Sequence, residues 1–434
     1  MKATKKTKIF LILLLTLSYS YVIGQSISTH KSHPLRGRTA GEVGMSDKRL
    51  ARIDSMCIQT IQEGDLPGMV VLVARNGKIV YHKAFGVANP KTERELRRDD
   101  IFRIASQTKA ITATAVMMLW EEGKFSLDDP ISKYISEFKD PRVLDSLLAD
   151  GTYLTKPAKT EITIRHLLTH TSGIGYGVID SDERFRKIYE ESGIVDLFTT
   201  REITIGENIK KLALLPLHHN PGERFTYGES YDVLGYFIEV VSGIPLDEFF
   251  RSRIFAPLGM DDTWFYLPKH KEKRLVTVQK KERNKWVSYP ITFYDPDYPI
   301  KGAKQFFSGG AGLCSTAEDY AKFLQMYLNN GELNGVRLLS RTTVQTIMAN
   351  HIQDLWGDPR AHYGLAFLVQ SQIGQNAGGK GSIGSFSWEG YFNTQYFADP
   401  EEQIIGIILK QTQEVNADQT RWKFPLLVGQ AIND

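Results

Sequence analysis

Ser106-Gln107-Thr108-Lys109 is the stretch from which the fold and the chemistry of this chain are best inferred. It follows the apolar segment 101–105 and leads into a helical pattern over 110–122. A serine and a lysine three residues apart in the first turn of a helix lie on one face of that helix. The spacing brings an amine within reach of a hydroxyl, as a serine nucleophile activated by a lysine requires. A helix-capping serine beside an exposed lysine has the same local pattern, so the rest of the chain must distinguish the two.

The composition predicts a globular protein with a large core, because 42% of the 434 residues are hydrophobic and 24% are charged. Cys57 and Cys314 are the only cysteines and stand in apolar surroundings, so a disulfide framework is excluded and buried thiols are expected. The sequence contains no Rossmann or Walker phosphate loop and no α/β-hydrolase nucleophile elbow. Nothing in its charge pattern indicates a nucleic-acid partner.

Residues 1–25 have the pattern of a secretory signal peptide. Four lysines precede a short apolar run over 9–17, and small residues follow it. These four lysines exceed the formal net charge of +3, so the chain without them is nearly neutral. The run is shorter than the roughly 20 residues of a membrane-spanning helix, so no stable anchor is expected, although an uncleaved anchor remains an alternative. We expect a periplasmic or secreted protein.

The hydrophobic patterns place one domain after a linker. Residues 26–45 are polar and contain Pro34 and three glycines, which is typical of a linker. The domain, 46–434, divides into an α/β part, 46–105 and 300–434, and a helical insert, 106–299. Helices are predicted over 48–63, 317–328, 340–349 and 424–432, and strands over 69–74, 78–85, 363–369, 384–397 and 404–410. Ser46 is the expected cap of the first helix, and Asn76-Gly77 predicts a tight hairpin turn between the first two strands. This order predicts an α+β fold, in which an antiparallel sheet is flanked by N- and C-terminal helices and carries an all-helical insert.

A second motif surrounds Tyr227, at the head of a helical pattern. Together with Ser106 and Lys109, the stretch 227–230 resembles the serine β-lactamase-like superfamily, above all class C β-lactamases, family VIII carboxylesterases and penicillin-binding proteins. The resemblance implies that the Tyr227 phenol shares the proton transfers with Lys109. Glu229 stands where the family usually has an asparagine that donates its amide to the substrate, so the resemblance places Glu229 among the expected substrate-binding residues. An ionised carboxylate cannot donate in this way.

A third motif is Trp388-Glu389-Gly390, which is similar to the Trp-x-Gly form of the carboxylesterase-like members. Other members carry Lys-Thr-Gly here, and that lysine recognises the carboxylate of penicillins and D-alanyl peptides. The resemblance implies a substrate contact at this strand, with the N–H groups of Ser106 and Tyr391 binding the oxyanion. The missing lysine and the negative Glu389 are expected to disfavour anionic substrates. Taken alone, the tyrosine at 227 and the tryptophan at 388 fit ordinary core positions equally well.

Four further stretches resemble the same family in the same order, at 125–130, 166–173, 257–260 and 308–313, so that the likeness spans about 46–430. His166 and His170 are spaced i, i+4, but no third ligand accompanies them. We therefore expect no metal and no cofactor.

These motifs predict an exported serine hydrolase that forms an acyl-enzyme on Ser106, with Lys109 and Tyr227 as a coupled proton-transfer pair. The expected substrate is a small carboxylic ester. An amide or peptide substrate, as for a β-lactamase or D-alanyl peptidase, is one alternative. A catalytically silent binding homologue is another, which the unusual Glu229 and Glu389 favour.

Overall fold

A nine-stranded sheet is the framework of the residues that the computed structural model describes, 35–378, 381–415 and 418–434. Eight strands follow one another in space as Arg36–Gly37, Lys78–Asn89, Gly68–Arg75, Ile404–Leu409, Thr394–Asp399, Phe386–Gly390, Leu368–Gln370 and Ala361–Tyr363, and Arg94–Glu95 pairs with Lys78–Asn89. All neighbouring pairs are antiparallel except the first, which is parallel. The predicted signal peptide lies outside the described residues.

The hairpin predicted around Asn76 and Gly77 is confirmed. These two residues have φ angles of 53° and 70°, the left-handed values that a two-residue type I′ turn requires. They join Gly68–Arg75 to Lys78–Asn89, which are neighbouring strands of the sheet.

Two terminal helices cover one face of the sheet, as predicted. The N-terminal helix, Asp47–Gln62, begins after Ser46, whose hydroxyl accepts the N–H of Arg49 at 3.3 Å. The C-terminal helix, Thr420–Gly429, packs beside it. Because strand side chains alternate, Val71 and Val73 face these helices, while Val70 and Leu72 face the larger core on the other side.

The larger core is built mainly from helices. The α-helices between the two terminal ones are Thr108–Glu121, Ile164–Leu168, Glu183–Glu191, Ile205–Leu212, Ser230–Ser242, Leu246–Phe250, Ala256–Leu258, Tyr298–Lys301, Ala317–Leu328, Arg341–Met348 and Gln372–Asn376. All of them contribute to this core except Tyr298–Lys301 and Gln372–Asn376. Cys57 and Cys314 are buried free thiols. In the described parts of the chain, no helix combines the length and the apolar character needed to cross a bilayer.

The insert is not all-helical, and the prediction was wrong in this respect. It contains two β-hairpins, Arg142–Leu147 with Tyr153–Pro157 and Gln279–Glu282 with Lys285–Ser288. The second hairpin turns at Arg283 and Asn284, whose φ angles are 47° and 65°. The strands are short and mostly exposed, so they lack the alternating apolar pattern by which strands are recognised. Two more two-stranded pairs join Phe102–Arg103 to Cys314–Ser315 and Glu332–Leu333 to Val336–Arg337.

Three other boundaries differ from the prediction. The described part of the supposed linker belongs to the fold, because Arg36–Gly37 extends the sheet and Ala40 and Val43 are buried. The predicted strands over 363–369 and 384–397 each contain a turn and form two strands. Asn393, with a φ angle of 68°, lies in the second of these turns.

Candidate active site

Ser106 lies on a 3₁₀ turn, Ala105–Gln107, which runs directly into the helix Thr108–Glu121. Ala105 has a φ angle of 43°, a left-handed conformation that costs a residue with a Cβ about 1–2 kcal/mol. The residue before it is held by a hydrogen bond, in which the N–H of Ile104 donates to the carbonyl of Leu313 at 3.0 Å. Backbone strain of this kind clusters at functional sites.

Lys109 is completely buried, and its amine lies against Ser106. Its Nζ is 3.3 Å from the Oγ of Ser106, 3.1 Å from the phenol oxygen of Tyr176 and 2.8 Å from the carbonyl oxygen of Gly310. Over the described ranges, Lys109 forms no ion pair. Its amine is therefore surrounded by neutral oxygen atoms, one of which is the candidate nucleophile.

Tyr227 completes the group predicted from sequence. The Nζ of Lys109 lies 4.6 Å from the centre of the Tyr227 ring, and the phenol oxygen accepts the indole N–H of Trp388 at 3.2 Å. The His170 ring packs against Tyr227 with a 4.4 Å separation of centres. Burial, assisted by the charge of Lys109, holds the pKa of His170 well below its usual range. His170 is therefore a neutral support for the phenol at physiological pH.

The strand Phe386–Gly390 forms the opposite wall. Trp388 points toward Tyr227, and a Cβ on Gly390 would lie only 2.5 Å from the carbonyl oxygen of Ile104. Glycine is thus required for the strand to approach the nucleophile turn. Tyr391 follows, with its carbonyl fixed by the side chain of Gln413 at 2.6 Å. Its ring belongs to an aromatic cluster that also contains Ala105, Tyr176, Phe198, Tyr227, Tyr294 and Phe392.

Glu389 does not face this site, which corrects its prediction as a substrate contact. It follows Trp388 on the strand, and successive strand side chains point to opposite faces. Its carboxylate accepts the side-chain amide of Gln395 at 3.0 Å and pairs with Arg421 of the C-terminal helix. Its charge is therefore compensated on the far side of the sheet.

Glu229 does not line an open substrate cleft either, and its predicted contact with substrate was wrong. The residue is fully buried, and its N–H donates to the carbonyl of Gly175 at 3.1 Å. Asp196 and Asp232 are its charged neighbours. Burial, followed by these two negative charges, raises the pKa of Glu229 well above its usual value.

Sequence reasoning missed Tyr176 and the role of Gly310. Tyr176 lies in the glycine-rich continuation of the 166–173 stretch, a tyrosine between Gly175 and Gly177, and this is the signal that was available. Burial, followed by the neighbouring Tyr227 and Glu229, raises its pKa well above the usual value, so the phenol keeps its proton. A cavity of about 370 Å³ adjoins this loop and includes Gly177, Asp196 and Phe198 in its lining.

The fold and the assembled serine, lysine and tyrosine define a serine hydrolase with a β-lactamase-like architecture. The model of the Beta-lactamase family matches residues 53–430, and the chain belongs to this family. The predicted superfamily, fold class and enzyme class are thereby confirmed. Over the described residues, no set of histidine, cysteine and acidic side chains is arranged to hold a metal ion.

Three similar proteins give this family a more specific context. Protein Rv1367c of Mycobacterium tuberculosis is 32% identical over 383 residues, which cover 84% of this chain and 90% of that protein. Esterase EstB of Burkholderia gladioli is 39% identical over 215 residues, or 50% of this chain and 51% of EstB. The structure of EstCE1, described as a hydrolase with promiscuous acyltransferase activity, matches with a TM-score of 0.73 and 28% identity, covering 89% of this chain and 99% of EstCE1.

Proposed function

We propose that this protein hydrolyses small carboxylic esters through an acyl-enzyme on Ser106. The observation that carries the proposal is the contact of 3.3 Å between the amine of Lys109 and the hydroxyl of Ser106, with the Tyr227 ring 4.6 Å from the same nitrogen. A positioned amine beside a serine hydroxyl is the arrangement needed to generate an alkoxide nucleophile. The similarity to Esterase EstB supports an ester as the substrate.

In the first half-reaction, the Ser106 oxygen bonds to the ester carbonyl carbon and its proton passes to the Lys109–Tyr227 pair. The N–H groups of Ser106 and Tyr391 hold the negative oxygen of the tetrahedral intermediate. When the intermediate collapses, the ester C–O bond breaks and the departing alkoxide takes a proton from the Lys109–Tyr227 pair. The acyl group remains on Ser106.

In the second half-reaction, water attacks the acyl carbon and gives a proton to the same pair. The bond to Ser106 then breaks, and the carboxylic acid leaves with the serine hydroxyl restored. Lys109 and Tyr227 are proposed to act as one proton-transfer unit, because the Lys109 amine lies 4.6 Å from the centre of the Tyr227 ring.

The walls of the site favour a neutral or apolar substrate. Trp388 stands where carboxylate-recognising relatives have a lysine, and its N–H is engaged by Tyr227. Since Glu389 is turned away and paired with Arg421, it does not repel anions at the site. Selectivity would rest on the missing positive charge and on the aromatic surface of Tyr176, Tyr227 and Tyr391.

The proposal is tested by hydrolysis of p-nitrophenyl acetate and p-nitrophenyl butyrate by the wild type and Ser106→Ala. We expect Ser106→Ala to lose the activity, and equal rates in the two proteins would contradict the proposal. A labelled penicillin that remains on Ser106, with no ester turnover, would instead favour a D-alanyl peptidase. If a fluorophosphonate probe left the wild type unmodified, a silent binding homologue would be favoured.

We further propose that the protein is exported, because residues 1–25 combine a basic start, a short apolar run and small residues. The expected result is a periplasmic or secreted protein whose N-terminal peptide, identified by mass spectrometry, begins near residue 26. Recovery of the full chain from the cytosolic fraction alone would contradict export.

A further inference from the structure

Besides Ser106, two groups accept a hydrogen bond from the amine of Lys109. Each of them lies on a segment of the chain that a buried carboxylate holds in place. The first acceptor is the phenol of Tyr176. The next residue, Gly177, donates its N–H to the two carboxylate oxygens of Asp196 at 3.1 and 3.0 Å, and the N–H of Val178 also donates to Asp196. Asp196 therefore fixes the loop from which Tyr176 reaches Lys109.

The second acceptor is the carbonyl of Gly310. The N–H of Gly310 points to Oδ1 of Asp232 at 3.4 Å. A Cβ on Gly310 would lie 2.3 Å from Oδ2 of Asp232, so the carboxylate is packed directly against this peptide. Asp232 therefore fixes the segment whose carbonyl accepts from Lys109 at 2.8 Å.

Glu229 connects these two carboxylates. It is fully buried, and both Asp196 and Asp232 act on its carboxyl group. Within the described ranges, neither Oε atom of Glu229 has a hydrogen-bond donor. Three adjacent buried carboxylates cannot all be ionised without strong repulsion. A proton on Glu229 removes one charge and supplies the O–H donor that the cluster lacks.

We propose that Glu229 is a positioning residue: a neutral carboxylic acid that donates its O–H to Asp196 and relieves Asp232 of a negative neighbour, so that both acceptors of Lys109 stay in place. This inference rests on the proposed role of Lys109 in ester hydrolysis.

The pKa of Glu229 is consistent with this assignment. Burial raises it well above the ordinary 4.5, and the charges of Asp232 and Asp196 add to the effect. The phenols of Tyr176 and Tyr189 also face the cluster and remain protonated, because burial raises their pKa values well above the usual range. One contact further out, the titratable groups are Lys109, His170 and Asp180.

The stability of the protein should depend on pH, because Glu229 has a different pKa in the folded and in the unfolded chain. The pKa of Glu229 in the folded chain is higher than the ordinary 4.5. The contribution of Glu229 to the free energy of unfolding is therefore fully present below pH 4.5, and it is lost as the pH rises toward the pKa of Glu229 in the folded chain. Glu229→Gln keeps a donor but does not titrate. The melting temperature of Glu229→Gln minus that of the wild type should therefore increase as the pH is raised above 4.5.

The kinetic test uses p-nitrophenyl acetate with Glu229→Gln, Glu229→Ala and a control, Glu239→Gln, which lies in the last turn of the helix that Glu229 directly precedes. We expect Glu229→Ala to lower kcat by about 10- to 100-fold with little change in KM, because a displaced Lys109 misaligns the proton transfer. Glu229→Gln should restore kcat to within about threefold of the wild type, and Glu239→Gln should leave kcat unchanged.

Two outcomes would overturn the inference. One is a wild-type kcat in folded Glu229→Ala. The other is a difference in melting temperature between Glu229→Gln and the wild type that does not change with pH. This second result would reject the inference even if Glu229→Ala does not fold. Failure of the proposed function can be told apart from failure of this inference. Hydrolysis that persists in Ser106→Ala would reject the acyl-enzyme, but the melting temperatures would still test whether Glu229 carries a proton.

Discussion

Lys109 and Lys410 are both completely buried, on opposite faces of the sheet, and their surroundings differ. Lys410 follows the strand Ile404–Leu409 and pairs with Asp418, with the Thr420 hydroxyl at 3.0 Å. Lys109 has no carboxylate partner in the described chain and instead contacts the Ser106 hydroxyl, a phenol and a carbonyl.

The difference separates a structural lysine from a lysine placed for chemistry. A buried charge is tolerated when a counter-charge and hydrogen bonds compensate its lost hydration, and Lys410 has both. Burial lowers the pKa of Lys410, and the charge of Asp418 opposes this effect. The amine of Lys109 has no counter-charge in the described chain and contacts the hydroxyl of Ser106, which loses its proton in the proposed mechanism. Burial alone would not have distinguished the two.

The largest expected effect is on catalysis by Lys109→Met. Loss of the proton acceptor should lower kcat/KM for p-nitrophenyl butyrate by about 10⁴-fold, equivalent to about 5 kcal/mol. The change should leave the fold intact, because Met fills a similar volume and no ion pair is broken. The measurement is steady-state hydrolysis with circular dichroism on the same sample. Activity above a tenth of the wild-type value would contradict the proposal that Lys109, unlike Lys410, is needed for catalysis.

Lys410→Met should act on stability instead. Removing one partner of a buried ion pair leaves Asp418 uncompensated and should lower the free energy of unfolding by about 3–5 kcal/mol. The folded fraction should keep kcat within about threefold of the wild type, since the site is on the other face. Urea denaturation measures the first effect, and the double variant Lys410→Met/Asp418→Leu is the control, in which much of the loss should be recovered. A variant of normal stability and low activity would contradict the comparison.

A smaller effect is expected at Trp388, with its strand neighbour as a matched control. Trp388→Phe removes the N–H that the Tyr227 phenol accepts and should lower kcat/KM about tenfold, because one hydrogen bond contributes about 1 kcal/mol or slightly more. Glu389→Gln, on the opposite face, should change kcat/KM by less than about twofold. Equal losses in the two variants would show that the whole strand, rather than its inner face, governs activity.

The smallest effect concerns acid stability. Burial opposes ionisation of Asp418, but the charge of Lys410 and the hydrogen bonds prevail, so the pKa of Asp418 lies below its ordinary 3.8. Its contribution to stability is present above pH 3.8 and is lost as the pH falls toward the folded value. Asp418→Asn should therefore be less stable than the wild type at pH 6, and the gap should narrow below pH 3.8. A gap that is constant with pH, measured by thermal denaturation, would contradict this.

Features defined by local sequence were the predictable ones. The Asn76-Gly77 turn and the Ser46 cap depend on neighbouring residues, and both form as expected. Ser106 and Lys109 are three residues apart, so the helix alone brings them together. The convergence of Tyr227 and Trp388 followed from the family resemblance, not from spacing.

Features defined by tertiary contacts were not predictable. The tyrosine between two glycines was the available signal for Tyr176. Its contact with Lys109, and the positions of Asp196 and Asp232 beside Glu229, could not be inferred, because the segments around 109, 176, 196 and 229–232 are distant in the chain and meet only when the insert folds. The position of Glu389 was open to inference: once Trp388 faces the site, alternation along the strand turns its neighbour away. Motif matching treated the adjacent residues alike and missed this.

The most direct test of the central claim is the rate at which a fluorophosphonate probe modifies Ser106, followed by intact mass and peptide mapping. The account predicts a single adduct on Ser106 in the wild type, at an unchanged rate in folded Lys410→Met and at a rate reduced by about 10³-fold or more in Lys109→Met. Equal rates in the two lysine variants, or an adduct on a residue other than Ser106, would contradict it.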